Sequence, residues 1–259
     1  MGTYSIYFSP TGGTKKVMDI LAGQWGKTET IDLSVPGKKF WNYCFQREDI
    51  CLVGVPSYGG RVPDMALERL KKMEGGNARA VIVVAYGNRH YDDTVLELKN
   101  ELEKTGFRVE AAIAAVTEHS ILRQFGTGRP DDKDTEELKS YVDKIKSAWK
   151  NPEYKEGLLC VPGKTPYREY DGVPFKPKAG RKCTKCGVCA SLCPVQAIPR
   201  DNPETVDESK CISCMRCVSV CPEQARGVGK MPLFFAGRKL KSACEKPKEN
   251  ELFLGMEEE

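Results

Sequence analysis

Short apolar runs alternate with amphipathic stretches through the first 150 positions of the chain. The runs at 50–55 and 79–85 are almost continuously hydrophobic, as strands are when both faces of a parallel sheet are covered. Strands that alternate with helical patterns indicate a parallel sheet with helices on both sides. The pattern predicts five strands, at residues 3–8, 28–33, 50–55, 79–85 and 109–117.

Four helices are predicted between and after these strands, where apolar residues recur at helical spacing. The last is preceded by Pro130 and by Asp131-Asp132. Both features suit a helix N-terminus, since proline fits the first turn and carboxylates complement the partial positive charge there. The segment 34–48 is ambiguous. The predicted helices are at 14–22, 64–73, 92–104 and about 133–149.

The periodic pattern stops after residue 150, and five prolines follow between positions 152 and 177. Such a segment is predicted to be extended and to lie over the surface of the first domain. We therefore predict a first domain at 1–150, a linker at 151–178, a small second domain at 179–230 and a tail at 231–259. The tail carries Leu252-Phe253-Leu254, which either packs back on the first domain or frays.

Eight of the 12 cysteines form two runs of the pattern C-x2-C-x2-C-x3-C-P, spaced 28 positions apart. This spacing lets one loop place three thiolates around a cubane 4Fe-4S cluster, while the fourth cysteine binds the other cluster. One predicted ligand set is Cys183, Cys186, Cys189 and Cys221, and the other is Cys211, Cys214, Cys217 and Cys193.

The alternative for these thiols is structural zinc, whose sites usually take two pairs of ligands separated by a longer loop. Four thiols within eleven residues fit that pattern less well. From Arg181 to Val228 the sequence resembles two-cluster bacterial ferredoxins, including Cys-Pro-Val-Gln-Ala-Ile after the first run and Cys-Pro-Glu-Gln-Ala after the second. The resemblance implies a small α+β domain with two 4Fe-4S clusters.

A second candidate site follows the first predicted strand, where Ser9-Pro10-Thr11-Gly12-Gly13-Thr14 leads into a helix. Hydroxyls, backbone N–H groups and the helix dipole converge there as a phosphate group requires, and a plain glycine turn is the equal alternative. In a sheet of order 2-1-3-4-5, the loops after the first, third and fourth strands meet. The other two loops are Pro56-Ser57-Tyr58-Gly59-Gly60-Arg61 and Tyr86-Gly87-Asn88-Arg89-His90-Tyr91.

With these loops the first domain resembles flavodoxins, which bind FMN at the crevice of a doubly wound α/β sheet. The first loop is similar to their S/T-x-T-G-x-T phosphate loop. The resemblance implies stacking of the flavin ring between Tyr58 and Tyr91. Positive charge on Arg61, Arg89 and His90 would raise the flavin potential. The residues implied to bind FMN are Ser9, Thr11, Gly12, Gly13, Thr14, Pro56, Ser57, Tyr58, Gly59, Gly60, Tyr86, Gly87, Asn88, Arg89 and Tyr91.

The order of the two domains, with Val161-Pro162-Gly163 and Glu118-His119-Ser120, resembles fused flavodoxin-ferredoxin proteins of anaerobic prokaryotes. The resemblance implies an electron-transfer protein that passes electrons between two 4Fe-4S clusters and FMN, and to or from redox partner proteins. The alternative is an FMN-dependent reductase of a small molecule, fed by its own ferredoxin domain. No G-x-G-x-x-G motif supports NAD(P)H binding.

Several classes are disfavoured by the sequence. It opens without a signal-peptide pattern and has no apolar run near 18 residues, so we expect a cytoplasmic protein without a membrane span. A formal charge of +4 is too mild to favour nucleic acid. Cysteines clustered in such a protein favour metal or redox chemistry over disulfides. The scattered Cys44, Cys51, Cys160 and Cys244 are expected to be incidental thiols, and His119 to pack at a strand end.

Overall fold

The computed structural model describes residues 1–154, 156 and 159–255. Most of the buried apolar side chains belong to the first 150 residues, and the second domain is built mostly of short loops. In chain order the elements are β1 (Thr3–Tyr7), α1 (Gly13–Gly23), β2 (Glu29–Asp32), β3 (Ile50–Pro56), α2 (Asp64–Leu70), β4 (Arg79–Tyr86), α3 (Thr94–Lys104), β5 (Arg108–Val116), α4 (Asp132–Lys150), β6 (Lys178–Ala179), α5 (Val188–Ser191), α6 (Arg216–Ser219), β7 (Arg226–Gly227), α7 (Lys230–Cys244) and β8 (Glu251–Leu254).

The main sheet has the order β2-β1-β3-β4-β5-β8, and its first five strands are parallel. This order confirms the predicted flavodoxin-like doubly wound sheet. The five strands and four helices predicted from periodicity are all present, with ends that differ by up to three residues. The helix α3 starts at Thr94 rather than at residue 92, because Asp92 has a left-handed backbone with a φ of 43°.

Apolar clusters cover both faces of the sheet. On one face, strand residues such as Val53 and Ile82 pack against Leu67 of α2 and Leu98 of α3. On the other face, Val81, Val83 and Ile113 pack against α1 and α4, through Val17, Leu21, Leu138 and Ile145. At the closest approach of α1 to β3, a Cβ atom on Gly54 would lie 2.4 Å from the Met18 sulfur. The sheet thus fixes where the loops at its carboxyl edge emerge.

The C-terminal segment completes the sheet as an edge strand. Strand β8 runs antiparallel to β5, with Leu252 opposite Ile113 and Phe253 opposite Ala112. Just before it, the buried Asn250 accepts a 2.9 Å hydrogen bond from the Val116 amide and donates to Asp134 at 2.8 Å. The end of the tail, from residue 256, lies outside the described residues.

The linker lies against the loops that follow β3 and β4. Asp93 accepts hydrogen bonds from the backbone amides of Lys164 and Arg168, at 2.9 and 2.7 Å. Asn100 in α3 donates to the Tyr167 hydroxyl at 2.8 Å. These contacts hold the extended segment on the surface of the first domain.

The second domain repeats one backbone motif. Each cysteine run contains a one-turn helix, α5 or α6, and strands β6 and β7 pair antiparallel beside them. Residues 28 positions apart share left-handed backbone angles: Lys185 and Ser213 (58° and 54°), Gly187 and Met215 (75° and 61°), and Gln196 and Gln224 (51° and 48°). The sequence repeat is therefore also a repeat of loop geometry.

No helix in the described part of the chain has the length and apolar character that crossing a membrane requires.

Candidate functional site

Two cavities in the second domain are each lined by four thiols. The outer cavity is lined by Cys183, Cys186, Cys189 and Cys221. The inner cavity is lined by Cys193, Cys211, Cys214 and Cys217. Each cavity therefore has three cysteines from one run and the fourth cysteine of the other, and these are the two sets that the spacing predicts.

The two cavities differ in exposure. Cys186 of the outer cavity is exposed, whereas Cys193 and Cys214 of the inner cavity are buried. Burial raises the pKa of the Cys214 thiol to about 12 and that of Cys217 to about 11. Such thiols are protonated when free, so a metal that binds them must displace their protons.

Backbone amides donate to two of the thiols, as is typical of a metal-thiolate centre. Cys193 and Cys221 each accept a hydrogen bond on Sγ from the amide four residues later, at 3.3 and 3.2 Å. Such bonds stabilise negative charge on sulfur and tune the potential of a bound cluster. The buried guanidinium of Arg226 lines the outer cavity, and its Nε has no partner in the described part of the chain. A cluster with thiolate ligands would supply the compensating negative charge.

Among the described residues, no group of three or more His, Cys, Asp or Glu side chains is arranged to hold one ion.

A crevice opens at the carboxyl edge of the main sheet, where the loops after β1, β3, β4 and β5 meet. The predicted flavin residues that line it are Ser9, Thr11, Gly13, Thr14, Pro56, Ser57, Tyr58 and Gly87. Gly12 lies in an adjoining cavity, which extends from the first loop to the second domain. The structure therefore brings together most of the first loop and the start of the second.

The first loop leaves the N-terminus of α1 open to the crevice. Ser9 accepts a hydrogen bond on Oγ from the Lys15 amide at 2.9 Å, and its own amide donates to Ser34 Oγ at 2.7 Å. Gly12 precedes the helix with a φ of 91° and offers no side-chain cap, so Ser9 is the side chain that accepts an amide of the first turn. The amides of Gly13 and Thr14 and the helix dipole suit a phosphate group, so this loop can hold one.

Gly87 of the third loop lines the crevice, but the larger side chains of this loop do not fit their predicted role. Tyr91 is only 3% exposed and donates to Glu251 Oε2 at 3.0 Å, so its ring is not free to stack on a flavin. Tyr86 donates to the Glu249 carbonyl at 2.9 Å, and Asn88 donates to the Lys246 carbonyl at 3.1 Å. These side chains bind the C-terminal segment, a partner about 160 residues away that the local pattern does not reveal.

The cations of the predicted flavin loops are paired with carboxylates. Arg61 donates to the buried Glu97 at 2.9 Å through Nε, and Arg89 binds Asp92. Because the carboxylates offset these charges, the expectation that they raise a flavin potential has no structural basis. His90 also faces Asp92, with 3.3 Å between Nδ1 and Oδ1.

The linker covers the two glycines of the second loop. A Cβ atom on Gly59 would lie 2.1 Å from the Tyr170 ring, and one on Gly60 would lie 2.7 Å from Cδ of Arg168. Both glycines therefore lie against the linker, and neither is among the residues that line the crevice.

Four crevice positions after β5 were not predicted as sites. Thr117, Glu118 and Ser120 follow β5 and line the crevice beside His119. His119 Nδ1 accepts hydrogen bonds from the amides of Ile121 and Leu122, at 3.2 and 3.3 Å. Burial, with the nearby Arg89 charge, lowers the pKa of His119 to about 4. The sequence could have revealed these residues, because β5 was predicted as a parallel strand and so ends at the same edge of the sheet as β1, β3 and β4.

The inner cavity abuts the crevice. Arg216 lies beside that cavity and donates from Nη1 to the Pro10 carbonyl at 3.4 Å, in the first loop. Arg69 of α2 donates to the Pro194 carbonyl at 2.6 Å, and Ile212 packs on the core of the first domain. Burial raises the pKa of Tyr58 well above its usual range, and the Cys214 thiol adds to that effect. Tyr58 itself lines the crevice.

Residues 182–225 match the family model of the 4Fe-4S dicluster domain (Fer4_7). All eight patterned cysteines lie within this match. The segment is a 4Fe-4S dicluster domain. The chain therefore joins such a domain to one with flavodoxin-like topology.

Similar solved structures match the first domain. They include rubredoxin oxygen:oxidoreductase from the anaerobe Desulfovibrio gigas, with 16% identity and a TM-score of 0.42, over 57% of this chain and 36% of that one. A flavodoxin from Archaea has 15% identity and a TM-score of 0.41, over 58% and 100%. Flavodoxin 2 from Bacillus cereus has 12% identity and a TM-score of 0.42, over 57% and 99%. No curated protein matches the chain.

Proposed function

We propose that this chain is an electron-transfer protein that binds two 4Fe-4S clusters in the second domain and FMN in the crevice of the first. Electrons pass between the clusters and the flavin, and redox partner proteins supply or accept them. A thiolate-bound cluster exchanges single electrons, while a flavin exchanges one or two.

The observation that carries this proposal is the contact between the inner cavity and the crevice. Arg216 joins the wall of the inner cavity to the first loop, and Arg69 of α2 donates to Pro194, which lines the same cavity. Electron transfer needs close approach of the redox groups, and these contacts support it. Clusters that only stabilised the fold of the second domain would not require its inner cavity to contact the crevice of the first.

The residues of this chain have distinct tasks in the proposed function. The eight thiols hold the clusters, and the amides of Ala197 and Ala225 stabilise charge on two of them. The first loop and the open N-terminus of α1 hold the phosphate of FMN. Tyr58, Ser57 and Gly87 line the part of the crevice next to it.

The difference in exposure supports an order for the route. Cys186 of the outer cavity is exposed, so a partner protein exchanges electrons there. The inner cavity is buried against the first domain, so it exchanges electrons with the flavin. The route therefore runs from the outer cavity through the inner cavity to the crevice, or in reverse.

Anaerobic purification with metal, sulfide and flavin analysis tests the proposal. We expect about eight irons and eight sulfides per chain, together with FMN. During dithionite titration, the cluster absorbance should bleach together with the flavin absorbance. Zinc in place of iron would overturn the proposal, and so would full iron with no flavin after reconstitution with FMN.

A further inference from the structure

The helix α7 has one face buried and one face open. Leu233, Leu240 and Cys244 pack against Leu122 and Phe125 in the loop after β5. This contact attaches the helix to the first domain and fixes which side of it faces outward.

The outward face carries a patch of large apolar side chains. Met231, Phe234 and Phe235 are 65%, 56% and 60% exposed. Positions i, i+3 and i+4 lie side by side on a helix, so the three side chains form one continuous patch. Phe234, at the edge of this patch, also lines the cavity between α7 and the loop after β5. In the described part of the chain only three other large apolar side chains are exposed, namely Met1, Val35 and Trp41, and they lie far from α7 in the sequence.

Basic side chains flank this patch. The helix carries Lys230, Arg238, Lys239 and Lys241, and no acidic residue occurs from 230 to 244. The Arg238 guanidinium lies over the Phe234 ring, 5.9 Å from its centroid. Lys241 lies 3.4 Å from Glu245, the residue that follows the helix. This ion pair is exposed, so it contributes little to stability.

We propose that the exposed face of α7 binds the surface of an anionic lipid bilayer. Apolar side chains enter the boundary between head groups and acyl chains, and the flanking lysines and arginines bind lipid phosphates. The charge of the helix is complementary to such a surface, since it has four cations and no acidic residue. This inference does not depend on the bound cofactors.

The size of the patch favours a lipid surface over a protein partner. A stable protein interface buries about 800 Å² on each side and usually seats its aromatic residues in pockets. Three protruding side chains on one turn and a half of helix are much less than that. A bilayer needs only a few inserted side chains together with basic charge.

The test uses the purified holoprotein and vesicles of defined composition. Wild-type protein should cosediment with vesicles of phosphatidylglycerol and phosphatidylethanolamine, and not with vesicles of phosphatidylcholine alone. Raising the salt concentration should release it, because screening weakens the contact between the cations and the phosphates. The double variants Phe234→Ser/Phe235→Ser and Lys239→Glu/Lys241→Glu should each bind at least about tenfold more weakly.

Matched controls separate this face from the rest of the surface. Trp41→Ser removes another exposed aromatic residue, and Lys27→Glu/Lys72→Glu makes the same change of charge at exposed positions of the first domain. Both controls should bind as the wild type does. Failure of the wild type to bind anionic vesicles at low salt would overturn the proposal, as would equal binding of all variants. If the wild type ignores vesicles but binds an acidic ferredoxin through Phe234 and Phe235, α7 is instead a protein-docking helix and the proposal is wrong.

Discussion

Arg216 donates a hydrogen bond across 3.4 Å to the backbone oxygen of Pro10, and so joins the cluster domain to the loop that opens the flavin crevice. The contact spans 206 positions of sequence. Its guanidinium also lies near Tyr7 at the end of β1, where it partly offsets the effect of burial on the Tyr7 pKa. A positive charge from one domain is thus held at the proposed phosphate site of the other.

This charge leads to a prediction for flavin binding. Arg216→Gln should weaken FMN binding about tenfold, because a cation near the phosphate is lost while all eight cysteines remain. The quenching of FMN fluorescence on titration into flavin-free protein measures the affinity. Arg200→Gln, at an exposed position of the same domain, is the control and should bind FMN normally. If both variants bound FMN with the same affinity, the prediction would be wrong and Arg216 would have no part in FMN binding.

Each proposed cluster takes three cysteines from one run and the fourth from the other, and this arrangement predicts which cysteine variants lose the same cluster. Cys183→Ser and Cys221→Ser both alter the outer cavity, so both should retain the same cluster, with about four irons per chain. Cys193→Ser and Cys211→Ser both alter the inner cavity and should retain the other cluster. Electron paramagnetic resonance of the reduced proteins identifies the cluster that remains.

The scattered cysteines provide the control for this series. Cys44→Ser and Cys160→Ser change exposed thiols outside both cavities, so each should keep about eight irons. A spectrum of Cys221→Ser that matched Cys211→Ser would show that each run holds its own cluster, contrary to the proposed crossing.

Asn250 is predicted to be important for stability. Its side chain satisfies the Val116 amide and the Asp134 carboxylate, all of them buried. Asn250→Ala should lower the free energy of unfolding by about 2–3 kcal/mol, because buried polar groups lose their partners. Chemical denaturation under argon measures the change. Asn202→Ala, at an exposed position, should change stability by less than about 0.5 kcal/mol, and a similar loss in both would contradict the prediction.

The lowered pKa of His119 leads to a prediction that the stability of the protein depends on pH. Its pKa is about 4 in the folded protein and about 6.5 when unfolded, so between these values the unfolded chain binds a proton that the folded chain does not. The stability from neutral His119 is therefore complete above pH 6.5 and is lost as the pH falls towards 4. Between pH 6.5 and 5 the loss is about 2 kcal/mol.

The variant His119→Asn tests this dependence. Asparagine cannot titrate, while its side-chain oxygen can accept the hydrogen bonds from Ile121 and Leu122. The difference in unfolding free energy between wild type and variant should shift by about 2 kcal/mol in favour of the variant between pH 6.5 and 5. A difference that stays constant over this range would show that His119 titrates alike in both states.

Local patterns predicted the first domain well for a physical reason. Buried parallel strands such as β3 and β4 must be apolar along their whole length, and the helices that cover them must be apolar on one face. The edge rule for parallel sheets then predicted that the first loop, Ser57, Tyr58 and Gly87 come together. The predicted roles of Tyr86 and Tyr91 in the third loop were wrong, because the C-terminal segment binds both side chains through Glu249 and Glu251.

The sequence by itself predicted the two sets of thiols and the positions of the parallel strands, because both are carried by spacing and periodicity, while the order of the strands came from the resemblance to flavodoxins. Only the tertiary structure decided which cavity faces the crevice, which cations are paired and what covers Gly59. Those outcomes depend on contacts between distant segments, such as Arg216 with Pro10, Tyr170 with Gly59 and β8 with β5. Such contacts are selected by the packing of whole surfaces, and no local pattern encodes them.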